Sequence, residues 1–312
     1  MSYLKLTTET LLFGKGGSDR VSGVYQAWAE KLSLEVRKNL GPYTKVHSEQ
    51  LVGLFAVMFV KTELRDSLRD VSVSTVKRGI GGMYGNKGAL VARMVLDDTS
   101  ICFINVHLAA GQRHKAARNA DVAAIMDDKA VFPPADKLPY VHGGDGSGIL
   151  DHEFVILNGD LNYRIDQRRD VVISALSRGD LASLLEHDQL RKEMKSNHAF
   201  RLRYFAEAPI DFLPTYKYDP GTDEYDSSEK KRIPAWCDRI LFTSSPRISA
   251  INYRRYEPTV SDHKPVSAAL AVQVKRVIPD RMRKVQREID QDWQLREAEL
   301  LVKMADAYKA LY

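Results

Sequence analysis

Four short polar segments of this 312-residue sequence carry acidic, amide and imidazole side chains, and each follows an apolar, strand-like run. They are NVH at 105–107, NGDLNYR at 158–164, PAWCDR at 234–239 and SDHKP at 261–265. Each segment alone has a structural interpretation, as a turn or as a satisfied polar group. Together they supply two imidazoles, three carboxylates and three carboxamides at strand ends, where layered α/β enzymes place their sites.

This set of side chains suits hydrolysis of a phosphate ester. Asp160 is a candidate base for an attacking water, and Asn162 helps to fix its position. Asp238 can hold one tautomer of His263, whose other ring nitrogen then donates to a phosphate oxygen, while His107 stabilises the same developing charge. The sequence has no GxSxG elbow and no CxxxxxR loop. A metal-assisted attack by water is therefore favoured over a covalent intermediate.

The strands that carry these groups follow from the apolar pattern. Because side chains alternate along a strand, Asn105 and His107 share a face, as do Asp160 and Asn162 if the strand continues that far. The run at 154–157 is apolar on both faces, which predicts a strand covered on both sides. Other strand-like runs lie at 51–60, 71–76, 89–96, 101–107, 239–242 and 265–274.

Helical periodicity occupies the stretches between these strands. Helices are predicted over 18–40, from about 112 to 128, over 168–196 with a break at Gly179-Asp180, and over 279–312. The segment 133–152 is rich in Pro, Gly and Asp and predicts a loop. The alternation of strands and helices indicates an α/β layered fold, with one domain at 1–274 and a charged helix at 275–312.

The amino-acid composition indicates the general class of protein but does not identify its function. Hydrophobic residues make up 44% of the chain and charged residues 28%, typical of a soluble globular protein. The two cysteines lie in apolar runs, which predicts buried free thiols in a cytoplasmic protein. No run of 18 apolar residues occurs. The net charge of +5 is compatible with nucleic acid, an inositol phosphate or an ordinary solvated surface.

Six ordered segments resemble the signatures of the inositol polyphosphate 5-phosphatases. They are GNKG at 85–88, FINVHLAA at 103–110, GDLNYR at 159–164, PTYKYD at 214–219, PAWCDR at 234–239 and SDH at 261–263. The likeness extends over about residues 45–272. It implies a DNase I-like four-layer sandwich, with two packed mixed β-sheets flanked by helices. It also implies Mg2+ dependence and removal of the 5-phosphate of phosphatidylinositol 4,5-bisphosphate or related inositol polyphosphates.

The resemblance also implies a role for each matching residue. Asp160 becomes the water-activating base with Asn162 beside it, His107 and His263 contact the scissile phosphate, and Asp238 supports His263. Asp262 is implied to lie close to the metal and water. Four residues match positions that hold the neighbouring 4-phosphate, and two more in the GNKG turn are candidates for substrate contact: Tyr216, Lys217, Lys230 and Arg232, then Asn86 and Lys87.

One part of the family pattern is missing. The family opens with a Trp-Asn-Val-Asn strand and a second strand ending in Gln-Glu, whose Glu is the principal Mg2+ ligand, and neither motif occurs here. We therefore expect an N-terminally truncated chain that holds metal weakly through Asp160 and Asp262. Such a chain is expected to be much less active than a version extended upstream.

Two other functions remain as alternatives at this point. A nuclease of the same fold would use similar residues on a phosphodiester, although the predicted 4-phosphate residues argue against nucleic acid as the partner. A non-catalytic phosphoinositide-binding module would explain the missing metal ligand. The resemblance further leads us to expect attached domains and peripheral contact with membranes.

Overall fold

The computed structural model describes residues 3–7, 18–51, 53–79, 84–135 and 144–309. The helices are α1 Ser18–Leu40, α2 Lys115–Met126, α3 Arg169–Ser177, α4 Leu181–Glu186, α5 Gln189–Ser196 and α6 Pro279–Lys309. The strands are β1 Tyr3–Thr7, β2 Tyr43–Leu51, β3 Leu54–Lys61, β4 Leu68–Gly79, β5 Tyr84–Leu96, β6 Thr99–His107, β7 Phe154–Asp160, β8 Phe205–Glu207, β9 Asp238–Thr243, β10 Ile248–Arg255 and β11 Val266–Val272. Two compact units are formed, Met1–Val274 and Lys275–Tyr312.

A six-stranded sheet forms the centre of the first unit. Its order is β4-β5-β6-β7-β9-β8, and β6 and β7 run parallel while the other neighbours run antiparallel. A second sheet has the order β1-β11-β10, and β2 and β3 form a separate hairpin. The central sheet is therefore mixed, with its parallel pair at the strands that carry the first two polar segments.

Alternation along β6 divides the core into two apolar clusters. Ile101 and Phe103 belong to a cluster that also contains residues of β10 and β11. Cys102 and Ile104 belong to a second cluster, with residues of α2 and α5. One face of the central sheet thus packs on the second sheet and the other on helices. The predicted fold, two β-sheets flanked by helices, is confirmed, and both cysteines are buried and free.

Several element boundaries differ from the prediction. The single strand expected at 51–60 is a hairpin, in which Leu51 of β2 pairs with Leu54 of β3. The predicted break at Gly179-Asp180 in the helical stretch 168–196 is observed, where the Asp180 side chain caps α4. A second break was not predicted, and there the Asp188 side chain caps α5, so the stretch forms three helices. Strands β1, β2, β8 and β10 were not predicted. Residues 136–143 of the predicted loop and 310–312 of the predicted tail lie outside the described residues.

The second unit is the long helix α6. Its 31 residues form one continuous helix, and Arg296 pairs with Asp292 one turn earlier at 3.0 Å. Such exposed pairs add only about 0.3–0.5 kcal/mol each to helix stability. Among the helices that the structure describes, none combines the length and the apolar character needed to cross a membrane.

Gly159 provides a test of how tightly β6 and β7 are joined. Its φ is 137°, and a Cβ at this position would lie 2.1 Å from the carbonyl oxygen of Val106. We expect Gly159→Ala to lower the free energy of unfolding by about 2–4 kcal/mol, from backbone strain and the clash together. Urea denaturation measures this loss.

The matched control is Gly179→Ala. Gly179 also has a positive φ, 71°, but a Cβ there would meet nothing within 4 Å. This variant should lose only about 1 kcal/mol, the cost of the backbone conformation alone. Equal losses in the two variants would show that the close approach of Gly159 to Val106 does not constrain the sheet.

Candidate active site

One row of paired residues crosses the central sheet where β6, β7 and β9 meet. His107 pairs with Asp160, and Asp160 pairs with Asp238. Residues directly opposite each other on neighbouring strands, about 4.8 Å apart, project to the same face. Gly88 of β5 extends the row beyond His107. The sheet register therefore brings together three residues that are far apart in the sequence.

Asp160 is the buried anion at the centre of this row. Its Oδ2 lies 3.2 Å from Nε2 of His107, and its Oδ1 accepts a hydrogen bond from the backbone N of Asn162 at 3.0 Å. Burial by itself raises the pKa of Asp160, but the hydrogen bond from His107 and the charges of His263, His107 and Lys87 outweigh it. Its pKa is held well below the usual range, so Asp160 is ionised at neutral pH.

Asn162 reaches Asp160 by a different geometry from the one predicted. β7 ends at Asp160, and Asn162 has a φ of 56°, so the strand does not continue to Asn162, which was the condition for the two residues to share a strand face. Asn is one of the few residues that tolerate this left-handed conformation. The turn folds the Asn162 amide back, where Nδ2 donates to Asp160 Oδ2 at 3.0 Å and to the Leu108 carbonyl at 3.2 Å.

The GNKG turn contributes one of its two candidate residues to this centre. The Lys87 ammonium contacts Nε2 of His107. Burial lowers the pKa of Lys87, and the nearby charge of Asp160 partly offsets that effect. Asn86 is exposed, and no hydrogen bond within the described residues links its side chain to the site. The structure therefore places Lys87 in the centre and leaves Asn86 outside it.

His263 and Asp238 form the second charged pair of the site. Nδ1 of His263 lies 2.9 Å from Oδ2 of Asp238. Burial lowers the pKa of His263, but the charge and hydrogen bond of Asp238, followed by the charges of Asp160 and Asp262, raise it to about 9. Thr215, which sequence reasoning missed, donates its hydroxyl to the same Asp238 oxygen at 2.7 Å. Thr215 lies in the PTYKYD segment, and that position was the feature of the sequence from which its role could have been predicted.

The four residues predicted to hold a second phosphate are brought only partly together. The rings of Tyr216 and His263 lie 4.7 Å apart, and Arg232 lines the same concavity as Tyr216. The Lys217 ammonium lies 3.6 Å from the buried carboxylate of Asp226. Lys230 is exposed, and it shares no hydrogen bond or ion pair with this group in the part of the chain that the structure describes.

Asp226 is a second residue that the sequence did not reveal. It is fully buried, and its Oδ2 accepts a hydrogen bond from the backbone N of Arg232 at 2.7 Å. Burial raises its pKa, but hydrogen bonds from Ser228 and Arg232 and the charge of Lys217 lower it to about 2. This carboxylate therefore fixes the segment that presents Lys217 and Arg232.

The described residues offer few side chains that could bind a divalent cation at this site. Among the described residues, no group of three or more His, Cys, Asp or Glu side chains could hold a metal. Mg2+ commonly uses only one or two carboxylates, with waters and phosphate oxygens completing its coordination. The ionised Asp160 and the half-exposed Asp262 fit such a weak site, because Asp160 is anionic and Asp262 contributes charge to the same centre.

Comparison with known proteins shows which family this chain belongs to. Residues 3–269 match the Endonuclease/Exonuclease/phosphatase family 2. A Schizosaccharomyces pombe protein named "Probable inositol polyphosphate 5-phosphatase" is 49% identical over 286 residues, 88% of this chain and 24% of that protein. Synaptojanin of Caenorhabditis elegans is 39% identical over 80% of this chain and 21% of its own length. The chain thus spans about a quarter of the length of these curated relatives.

A solved structure matches both the fold and the sequence. It is the inositol polyphosphate 5-phosphatase domain of SPsynaptojanin in complex with inositol (1,4)-bisphosphate and calcium ion. The TM-score is 0.72 at 31% identity, and the match covers 94% of this chain and 81% of that domain. The predicted DNase I-like fold agrees with this match.

The His263–Asp238 pair predicts a pH dependence of stability. Since the pKa of His263 is raised from 6.5 to about 9, its contribution to stability is full below pH 6.5 and is lost as the pH rises through 9. In the Asp238→Asn variant, the pKa of His263 should fall towards 6.5. The wild-type advantage in free energy of unfolding should then shrink by about 3 kcal/mol between pH 6 and pH 10.

Two measurements check this expectation. NMR titration of the His263 ring gives its pKa directly in the wild type and in Asp238→Asn. Urea denaturation of both proteins at several pH values gives the difference in free energy of unfolding. A wild-type midpoint near 6.5, or a stability difference that does not change with pH, would contradict the raised pKa.

Proposed function

The chain belongs to the Endonuclease/Exonuclease/phosphatase family 2, among its inositol polyphosphate 5-phosphatase domains, and from this membership we propose that it hydrolyses the 5-phosphate of inositol polyphosphates. Phosphatidylinositol 4,5-bisphosphate and related phosphoinositides are included in the proposed substrate class. The observation that carries the proposal is the convergence of His107, Asp160 and Asp238 in one row, with a cationic concavity beside it.

Asp160 is proposed to accept the proton of the attacking water. Its low pKa keeps it unprotonated, and the two hydrogen bonds from Asn162 fix both carboxylate oxygens. A fixed acceptor loses little orientational freedom when the water is bound. Bound Mg2+, held by Asp160 and Asp262, would supply Lewis-acid stabilisation of a phosphoryl oxygen.

Three side chains, those of His263, His107 and Lys87, are proposed to bind the phosphoryl oxygens. His263 is protonated at neutral pH because its pKa is about 9, and its free ring nitrogen can donate to a phosphoryl oxygen. His107 and Lys87 contact each other on the opposite side of Asp160. Donors that are already oriented stabilise the charge that develops in the transition state without further reorganisation.

The concavity next to the reaction centre supports a substrate with more than one phosphate. Tyr216 and Arg232 line it. The neighbouring Lys217 does not line it and pairs with the buried carboxylate of Asp226. A guanidinium binds a phosphate monoester with two parallel hydrogen bonds. A polynucleotide backbone offers no second monoester at this spacing, so these residues favour the phosphatase over the nuclease alternative.

We also propose a cytoplasmic location, peripheral to membranes, for the protein that contains this chain. The net charge of +5 supports attraction to anionic lipid surfaces. The two buried free thiols are compatible with a reducing compartment. The much greater length of the relatives supports further attached domains.

Release of inorganic phosphate tests the proposed reaction. The chain should release phosphate from inositol 1,4,5-trisphosphate in the presence of Mg2+ and should leave supercoiled plasmid intact. Asp160→Asn should lower kcat by about a thousandfold, because the general base is lost. Asp211→Asn is the matched control, since Asp211 is an exposed carboxylate that belongs neither to the paired row nor to the lining of the concavity.

The alternatives give different results in the same assay. Plasmid nicking without phosphate release would support a nuclease. Saturable binding of the trisphosphate with no turnover in the wild type would support a non-catalytic binding module. Circular dichroism melts and trisphosphate binding by Asp160→Asn show whether its loss of activity is chemical or reflects unfolding.

Removal of metal should abolish phosphate release. We expect EDTA to stop the reaction and added Mg2+ to restore it. Asp262→Asn should raise the Mg2+ concentration for half-maximal activity by at least about tenfold, because one of two weak ligands is lost. Titration of Mg2+ against phosphate release measures this shift, and full activity in EDTA would contradict the proposed metal dependence.

A further inference from the structure

The long helix α6 carries an apolar repeat that the proposed chemistry does not use. Two sets of apolar residues recur at intervals of 11 residues: Ile278, Ile289 and Leu300, then Met282, Trp293 and Met304. Three turns of an α-helix take about 10.8 residues, so residues at this interval lie nearly above one another. The second set follows the first by four residues, which places both sets on one face of the helix. We call these six residues the α6 stripe.

The α6 stripe is exposed along its length. Ile278 precedes the helix by one residue, and its carbonyl oxygen accepts a hydrogen bond from the backbone N of Met282 at 2.9 Å, so it continues the helical geometry. All members of the stripe are more than half exposed. Residues 275–309, the described part of the second unit, form one helix and no strand, so this part of the unit has no other element to cover the stripe. An apolar surface of this extent marks a site of association.

The interval of the repeat limits the kind of partner that fits. It corresponds to about 3.67 residues per turn, close to the 3.6 of an α-helix, so the stripe winds only slowly around α6. A second long helix with the same repeat can therefore stay in contact with the stripe over the 31 residues of α6, in a pair with a slight right-handed supercoil. At 1.5 Å per residue, this contact is about 46 Å long.

The charges of α6 are divided along its length. Residues 279–287 contain four basic and one acidic side chain, and residues 288–309 contain six acidic and three basic side chains. The two parts therefore carry net charges of +3 and −3. Two copies of the helix that run in the same direction would place like charges together. Two copies that run in opposite directions bring the basic part of each beside the acidic part of the other.

The position of Arg296 also fits the antiparallel direction. Arg296 belongs to a third set with the same interval, which borders the stripe: Val285, Arg296 and Ala307. When Ile289 faces Leu300 of an antiparallel copy, Arg296 faces Trp293 of that copy. A guanidinium over an indole ring makes a favourable cation–π contact, whereas two parallel copies would place Arg296 against Arg296. The one charged residue among the three sets is therefore paired only in the antiparallel arrangement.

The apolar area of the stripe is large enough for a stable pair. Its six members and Val285 would each bury roughly 60–120 Å², which gives roughly 400–800 Å² per copy. The aliphatic stems of the neighbouring Lys and Arg side chains add to this area. A specific interface of ordinary size buries about 800 Å² per partner. The stripe and the stems together therefore reach that size.

We propose that α6 is a dimerisation surface, which pairs through its stripe with α6 of a second copy of this chain in the antiparallel direction. The charges specify a second copy as the partner, because the helix is complementary to itself only when it is reversed. A pair with twofold symmetry is closed, since each stripe covers the other and no further copy is added. The surface lies outside the residues of the proposed reaction.

The association of the full chain tests the proposal. Sedimentation equilibrium from about 1 to 100 µM should show a monomer–dimer equilibrium. Leu300→Asp places a carboxylate within the stripe of both copies, so it should raise the dissociation constant of the dimer at least about a hundredfold. A thermal melt followed by circular dichroism shows whether the first unit stays folded in the variant.

Leu295→Asp is the matched control. Leu295 lies on the same helix and is 67% exposed, compared with 58% for Leu300, and the substitution changes the charge by the same amount. The two residues are about 140° apart around the helix, so Leu295 lies outside the stripe. This variant should keep the dissociation constant of the wild type within about twofold.

Charge reversal tests the direction of the pair. Arg281 and Asp306 lie on the same side of the stripe, 25 residues apart. They are about 37 Å apart along one helix and cannot meet within one copy, but in the antiparallel pair Arg281 lies beside Asp306 of the other copy. Arg281→Glu should weaken the dimer about fivefold. The further change Asp306→Arg should restore the wild-type dissociation constant.

The remaining outcomes contradict the proposal in different ways. A chain that stays monomeric, or a dimer that Leu300→Asp leaves unchanged, overturns the dimerisation surface. Equal weakening by Leu295→Asp and Leu300→Asp shows that overall charge or general apolar contact, and not the stripe, controls association. A monomeric wild type that binds vesicles of phosphatidylcholine and phosphatidylserine, and loses this binding in Leu300→Asp, assigns the stripe to a membrane. A dimer that Asp306→Arg does not restore overturns the antiparallel direction.

Discussion

The close parallel pairing of β6 and β7 is the constraint on which the site depends. It places His107 opposite Asp160, and the next pairing places Asp160 opposite Asp238. Gly159 permits this approach, because a side chain there would collide with the Val106 backbone. A shift of one residue would turn each polar group to the other face of the sheet and into an apolar cluster. The same register that buries the core therefore also assembles the reaction centre.

Charge compensation determines which protonation states this buried row can hold. Asp160 would be costly as an isolated buried anion, but His107, His263 and Lys87 surround it and keep it ionised. Asp238 in turn keeps His263 protonated, and Thr215 orients the same carboxylate oxygen. At neutral pH the site therefore holds the Asp160 carboxylate, which can accept a proton, beside the protonated His263, which can donate a hydrogen bond. Hydrolysis of a phosphate monoester uses both kinds of group.

The sequence allowed prediction of those parts that local patterns determine. β6 and β7 were predictable because apolar runs end in polar residues at His107 and Asp160, and ordered motifs identified the family. Asn162 was considered as a strand residue only if the strand continued that far, and it does not, since its left-handed conformation depends on the turn and not on strand periodicity. Thr215 was missed because its partner Asp238 is distant in the sequence. Asp226 was missed because its hydrogen bonds to the nearby Ser228 and Arg232 depend on the conformation of a loop and not on a sequence pattern. In the stretch 168–196 the break at Gly179-Asp180 was predictable from the glycine, whereas the second break was not, because the capping residue Asp188 is also compatible with a helix interior.

The buried arginine next to Asp238 shows how the fold fixes the direction of a site residue. Arg239 follows Asp238 in β9 and so projects to the opposite face of the sheet. There it pairs with Asp188 at 3.0 Å and with Glu207, all within the protein interior. Such a triad contributes little net stability, because desolvation offsets its attraction, but breaking it would leave a buried charge unpaired. β9 therefore cannot rotate without that cost, and Asp238 remains directed towards His263.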